Sequence, residues 1–190
     1  MGFNRRPEPS IRKLLLHALS FSTALASTVA LYGALQVLTN TDTPIVVVLS
    51  GSMEPAFHRG DLLFLTNSPH ERYITGDIIV YKVPDQLIPI VHRILKTHEK
   101  PLDFSSASTR TSYHADSAPV PDQFILTKGD NNPEDDIVLY KGMDWLQRKH
   151  VVGKVKGFMP YIGYATIAMN DVPNIKYGLL GIMLLSAVFF

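Results

Sequence analysis

With 190 residues the chain has room for one folded domain plus anchoring segments. Hydrophobic residues make up 46%, enough for a buried core, and a formal net charge of +1 with no basic run in the folded part excludes the electrostatic footprint of a nucleic-acid binder. Cysteine is absent, which removes disulfides, cysteine-ligated zinc and a cysteine nucleophile together.

Residues 14–38 carry no Asp, Glu, Lys or Arg. About 20 apolar residues of helix cross the roughly 30 Å hydrocarbon layer, so this segment predicts a transmembrane anchor. Arg5, Arg6, Arg12 and Lys13 precede it, opposed only by Glu8. The positive-inside rule then puts residues 1–13 in the cytosol and the chain from residue 39 onward across the membrane. A cleavable signal peptide ending at Ala24-Leu25-Ala26 is the rival reading. The apolar run continues past that site and exceeds an ordinary signal-peptide core.

Pro44 leads into a β-branched run of strand length, 45–49. The run ends in Ser50-Gly51-Ser52-Met53-Glu54-Pro55. On its plainest reading Ser52 is an ordinary turn serine. Gly51 permits close backbone approach, and Pro55 directs the chain that follows. A serine presented on a tight turn, just past an anchor, is a candidate nucleophile. Two Gly-Asp turns follow, each launching a strand: Arg59-Gly60-Asp61 before 62–65, and Gly76-Asp77 before 78–81.

The strand predicted over 88–95 contains Ile90-Val91-His92-Arg93-Ile94. Of the seven histidines, His17 falls in the anchor, and His58, His70, His98, His114 and His150 have polar or loop neighbours. His92 alone sits inside a strand pattern. A half-buried, hydrogen-bonded histidine is the bland alternative. A free imidazole side chain titrates near 6.5, however, which suits a general base at neutral pH.

Between 100 and 122 the pattern stops, and Ser, Thr, Ala, Asp and Pro dominate. A flexible surface insertion is expected, and its serines are loop residues. A strand over 124–128 then runs into Gly129-Asp130-Asn131-Asn132-Pro133-Glu134-Asp135-Asp136. These residue types favour a solvated turn, and their spacing fails the calcium-loop pattern. One of Asp130, Asp135 and Asp136 is suited to accept from a histidine ring and hold its tautomer. Spacing alone leaves the choice open.

A last strand, 151–156, completes a set of short strands with turn signals. The expected fold is mainly β: a small all-β, barrel-like or sandwich domain over 39–173. The stretch 177–190 is uncharged and would reach about 21 Å as a helix, short of a bilayer. Residues 174–190 are therefore expected to form a short apolar helix associated with the membrane.

Taken together, Ser50-Gly51-Ser52-Met53-Glu54-Pro55, Arg59-Gly60-Asp61-Leu62-Leu63-Phe64, Gly76-Asp77-Ile78-Ile79-Val80-Tyr81-Lys82, Val91-His92-Arg93-Ile94 and Thr127-Lys128-Gly129-Asp130-Asn131-Asn132 resemble the catalytic subunits of endoplasmic-reticulum signal peptidases, within the wider type I signal peptidase family. The motifs run in the family's order across residues 45 to 165, and the preceding anchor matches too. The 100–122 stretch is longer than the family core requires.

The resemblance implies a membrane-bound serine endopeptidase of the signal peptidase fold, in which Ser52 attacks the scissile carbonyl and His92 takes its proton. Bacterial relatives have a lysine at that place, so histidine implies the endoplasmic-reticulum form. Asp136 matches the acid that completes the triad, and Asp130 matches a second, supporting aspartate. The Ser52 N–H and the Ser50 hydroxyl would serve as oxyanion donors.

The same resemblance implies lumenal placement in the endoplasmic-reticulum membrane on a single type II anchor. It implies signal peptides of nascent secretory proteins as substrates, with small residues at positions −1 and −3. Other subunits of a signal peptidase complex and the lipid bilayer are the further partners implied. No cofactor, no metal and no nucleic acid are expected.

Two other readings compete. In a non-catalytic, membrane-anchored scaffold domain Ser52, His92 and Asp136 need not converge. A soluble self-cleaving repressor-type protease is disfavoured by the uncharged 14–38 stretch and by the lack of a DNA-binding segment.

Overall fold

A computed structural model describes residues 11–84, 86, 88–99, 122–172, 177–178 and 181–182. Its first element is a helix, α1, Ile11–Thr39. With 29 residues and a mean hydropathy of 1.7, it is long and apolar enough to cross a membrane. Several of its hydroxyls bond back within the helix. Ser22 donates to the Ala18 carbonyl at 2.9 Å, Ser27 to Thr23 at 2.8 Å and Thr28 to Ala24 at 3.0 Å. Such back-bonding lets polar side chains sit in an apolar helix without an unpaired donor.

Residues 36–171 form one compact unit. Seven strands make a single curled antiparallel sheet: β1 Ile45–Val47, β2 Leu62–Thr66, β3 Ile78–Tyr81, β4 Ile90–Glu99, β5 Gln123–Lys128, β6 Leu146–Gln147 and β7 Val151–Met159. Their spatial order is β1-β2-β7-β3-β4-β5-β6. The mainly β expectation matches this architecture. Burial alternates residue by residue along β2 and β5, as a period of two requires when one face covers a core. One apolar cluster gathers Tyr81, Ile94, Ile125, Tyr140 and Leu146, and a second gathers Val48, Met53, Leu63, Leu65 and Val80.

Several features differ from the sequence expectation: β1 ends at Val47 rather than 49, and β7 runs to Met159 rather than 156. β4 continues to Glu99, past the expected end at 95, because it pairs with β5 along its whole second half. The two-residue β6 carries too little pattern to be seen in advance. A helix, α2, spans Tyr164–Asp171, ahead of the expected C-terminal segment.

Gly163 allows α2 to start where it does. A Cβ there would stand 2.8 Å from the Gly60 carbonyl oxygen and 2.5 Å from a Val47 methyl. Instead the Gly163 N–H donates to that carbonyl at 2.8 Å. The insertion 100–122 lies outside the described residues apart from Asp122. So do 1–13 apart from 11–13, and 174–190 apart from 177–178 and 181–182, which are helical.

Candidate active site

Ser52 lies in the turn that follows β1. The Phe57 N–H donates to the Met53 carbonyl at 3.0 Å, and the Glu54 N–H to the Gly51 carbonyl at 3.2 Å. Met53 and Phe57 are buried, so the core holds the turn from beneath and leaves Ser52 half-buried above it.

The loop after β5 holds the same turn from the side. The Asn131 N–H donates to the Ser52 carbonyl at 2.8 Å, and Asn131 Nδ2 donates to the Gly51 carbonyl at 3.1 Å. Gly129 permits this approach, because a Cβ there would stand 2.7 Å from the Ser52 carbonyl oxygen. No side chain fits at that distance.

His92 lies in β4, opposite Ile79 of β3. Alternation along the strand turns His92 and Ile94 inward. His92 Nε2 is 3.1 Å from Ser52 Oγ, and Nδ1 is 2.5 Å from Asp136 Oδ2. Only 3% of His92 and 1% of Asp136 are exposed, so the pair sits out of water's screening. Ser50 Oγ stands 3.2 Å from Ser52 Oγ.

The three acidic candidates meet three different partners. Asp136 opens a 3-10 helix, Asp136–Tyr140, and faces His92. Asp135 caps that helix, accepting the Ile137 N–H at 3.3 Å. Asp130 pairs with Arg93, whose Nη2 lies 2.7 Å from its Oδ2. The salt bridge raises the Arg93 guanidinium further above its ordinary value.

Sequence reasoning missed the surroundings of Asp136. Its Oδ2 also accepts from Thr127 Oγ1 at 2.6 Å and from the Tyr81 hydroxyl at 3.1 Å. Burial, then the Asp136 charge, pushes the Tyr81 phenol far up. Burial pushes Tyr140 up to about 12. Both therefore stay protonated and able to donate throughout the neutral range. Asn131 was missed as a clamp. The only cue was that these residues fall inside or beside the quoted motifs. Among the described residues no cluster of His, Asp and Glu is placed to hold a metal.

A cleft of about 700 Å³ opens over Ser52 and His92. Residues 45–49 form one wall and 88–91 the other, with Leu139 and Asn132 at its margin. The walls are largely aliphatic. Among the described strands β1 pairs only with β2 and ends the sheet, and its residues line the cleft.

A hydroxyl, an imidazole and a buried carboxylate thus stand in successive contact, an arrangement found among serine hydrolases. Residues 164–189 match the family model described as the signal peptidase C-terminal short helix. Over 180 residues the chain is 61% identical to the signal peptidase complex catalytic subunit SEC11 of Schizophyllum commune, covering 94% of this chain and 91% of that one. It is 49% identical to the human signal peptidase complex catalytic subunit SEC11C over 173 residues, 90% of this chain and 81% of the relative. The corresponding subunit of Aspergillus oryzae is 44% identical over 177 residues, 92% and 90% of the two chains. The chain belongs to the family of signal peptidase complex catalytic subunits.

Proposed function

We propose that this chain is the catalytic subunit of a membrane-bound serine endopeptidase that removes N-terminal signal peptides from secretory and membrane proteins entering the endoplasmic reticulum. The observation that carries this reading is the 3.1 Å contact between Ser52 Oγ and His92 Nε2 with Asp136 behind the ring, in a chain 61% identical to a relative named as such a subunit. A scaffold domain gives no reason for these side chains to converge.

In the proposed mechanism Ser52 donates its proton to His92 Nε2 as its oxygen attacks the scissile carbonyl. Asp136 accepts a hydrogen bond from Nδ1–H, which stays on the ring; it fixes the tautomer and stabilises the imidazolium that forms. With the Ser52 proton directed at His92, the Ser50 hydroxyl donates to Ser52 Oγ in the resting state. As the tetrahedral intermediate forms, that hydroxyl joins the Ser52 N–H in stabilising its oxyanion, each such donor contributing about 3–4 kcal/mol. His92 returns the proton to the leaving amine. Water then cleaves the acyl-enzyme with His92 as base again.

The substrate lies extended along the free edge of β1, whose backbone groups supply register. The largely aliphatic cleft takes small residues at positions −1 and −3. α1 serves as a single type II anchor with residues 1–13 in the cytosol, and 39–173 is the lumenal catalytic domain. The other subunits of a signal peptidase complex and the bilayer complete the working assembly, which needs no cofactor.

The test is processing of a presecretory protein by the full-length chain in microsomes. Ser52→Ala and His92→Ala should each abolish cleavage while the chain still accumulates. Normal processing by Ser52→Ala would sink the proposal.

A further inference from the structure

Asp136 is held asymmetrically. Oδ2 receives His92, Thr127 and Tyr81, from β4, β5 and β3. Oδ1 is equally buried and meets no partner among the described residues. Nothing bonded to Oδ1 resists rotation of the carboxylate. The donors to Oδ2 alone decide where that oxygen stands.

The proton positions around Thr127 follow from what each atom is able to do. The Thr127 backbone N–H donates to the Tyr140 phenolic oxygen at 2.8 Å. Thr127 Oγ1 lies 2.6 Å from Asp136 Oδ2, and an ionised carboxylate only accepts, so the threonine proton points there. The remaining 2.8 Å contact, between Tyr140 OH and Thr127 Oγ1, is then donated by the tyrosine. A closed, directional loop results, with one place for each proton. Thr127 both starts it, through its backbone, and ends it, through its side chain.

We propose that Thr127, oriented by Tyr140 and supported by Tyr81, is a positioning residue that holds Asp136 Oδ2 against His92 and so keeps the imidazole aimed at Ser52. The proposal rests on the Ser52–His92–Asp136 reading above. The donors being neutral matters: a charged donor in the same place would compete with the imidazolium for the carboxylate. The other ionisable groups nearby are accounted for. His92, Tyr81 and Tyr140 touch the network, Asp135 caps its helix, and Arg93 and Asp130 pair with each other.

The test uses the full-length chain in its membrane complex, with kcat and KM measured separately on one preprotein. Thr127→Val keeps the shape and removes the hydroxyl. It should lower kcat about 10- to 100-fold, the range expected for losing a hydrogen bond to a charged group, with KM unchanged. Thr127→Ser restores the donor and should recover most of the rate. Wild-type kcat in Thr127→Val would overturn the proposal, as would equal impairment in Thr127→Ser, which would trace the effect to the lost methyl.

If Thr127→Val fails to accumulate, Tyr81→Phe decides. A several-fold drop in kcat at constant KM supports the proposal, and an unchanged kcat overturns it. Ser52→Ala in the same assay separates the two levels. If it is inactive while Thr127→Val is normal, only the positioning role fails. If it still processes, the site itself is misassigned.

Discussion

Arg93 grips Asp130 with both prongs of its guanidinium, Nε to Oδ1 at 2.9 Å and Nη2 to Oδ2 at 2.7 Å. The preceding residue, His92, faces the other side of β4 and meets Asp136. Strand alternation thus sends two neighbouring side chains to two different aspartates. A third Arg93 bond, Nη1 to the Gly76 carbonyl at 2.9 Å, ties the Asp130 loop to the turn before β3. Asp130 belongs to the loop that holds Ser52, and Asp136 to the ring behind it.

That separation predicts unequal losses. Asp136→Asn should lower kcat on the order of 10⁴-fold, because the amide favours the wrong tautomer of His92. Asp130→Asn weakens a partly exposed ion pair, costing about 1 kcal/mol or less of stability. Its activity loss should be far smaller. Processing rates and thermal melts of both variants check this, and equal rate losses would show that Asp130 also acts on the reacting groups.

The clamp on the Ser52 turn is open to a graded test. Asn131→Ala removes the bond to the Gly51 carbonyl, worth about 1 kcal/mol, and should lower kcat moderately. Gly129→Ala should be worse, because its methyl would displace the Ser52 carbonyl from 2.7 Å. The expected order of kcat is wild type, then Asn131→Ala, then Gly129→Ala, with thermal melts separating the effect on rate from that on stability.

Ser50→Ala removes the hydroxyl 3.2 Å from Ser52 Oγ. Acting as an oxyanion donor, Ser50 is worth about 10²-fold in kcat and little in KM. Steady-state kinetics on a preprotein substrate measure both. A rise in KM with unchanged kcat would reassign Ser50 to substrate binding.

Stability should fall on the alkaline side. Burial raises the phenols of Tyr73 and Tyr140 to about 12, and that of Tyr81 further. An ordinary tyrosine titrates near 10. Above pH 10 the unfolded chain therefore loses phenolic protons that the folded chain keeps. The linkage relation then has negative slope: this contribution is whole below pH 10 and declines as pH rises through the folded values. Thermal melts from pH 9 upward, with phenolate absorbance followed in parallel, should show the midpoint dropping from about pH 10 and the buried tyrosines titrating last.

Much of the fold was legible because its signals are local. An uncharged apolar run marks α1, and short apolar runs launched by Gly-Asp turns mark β2 and β3. Ser52 and His92 stood out as candidates for the same reason, one on a turn after a strand, the other inside a strand pattern. α2 was not legible. Its start depends on Gly163 meeting the Gly60 carbonyl, a contact between residues far apart in the chain.

Charge pattern, apolar runs and turn signals by themselves determined the anchor candidate, the β character of the domain and the short list of candidate site residues. Only the tertiary structure shows which of Asp130, Asp135 and Asp136 meets His92, and only it brings Thr127, Tyr81 and Tyr140 around that carboxylate. Three aspartates within seven residues look alike in a sequence. What distinguishes them is the face each presents once β4, β5 and the short helix pack together. That face follows from strand register and burial, which depend on the whole sheet.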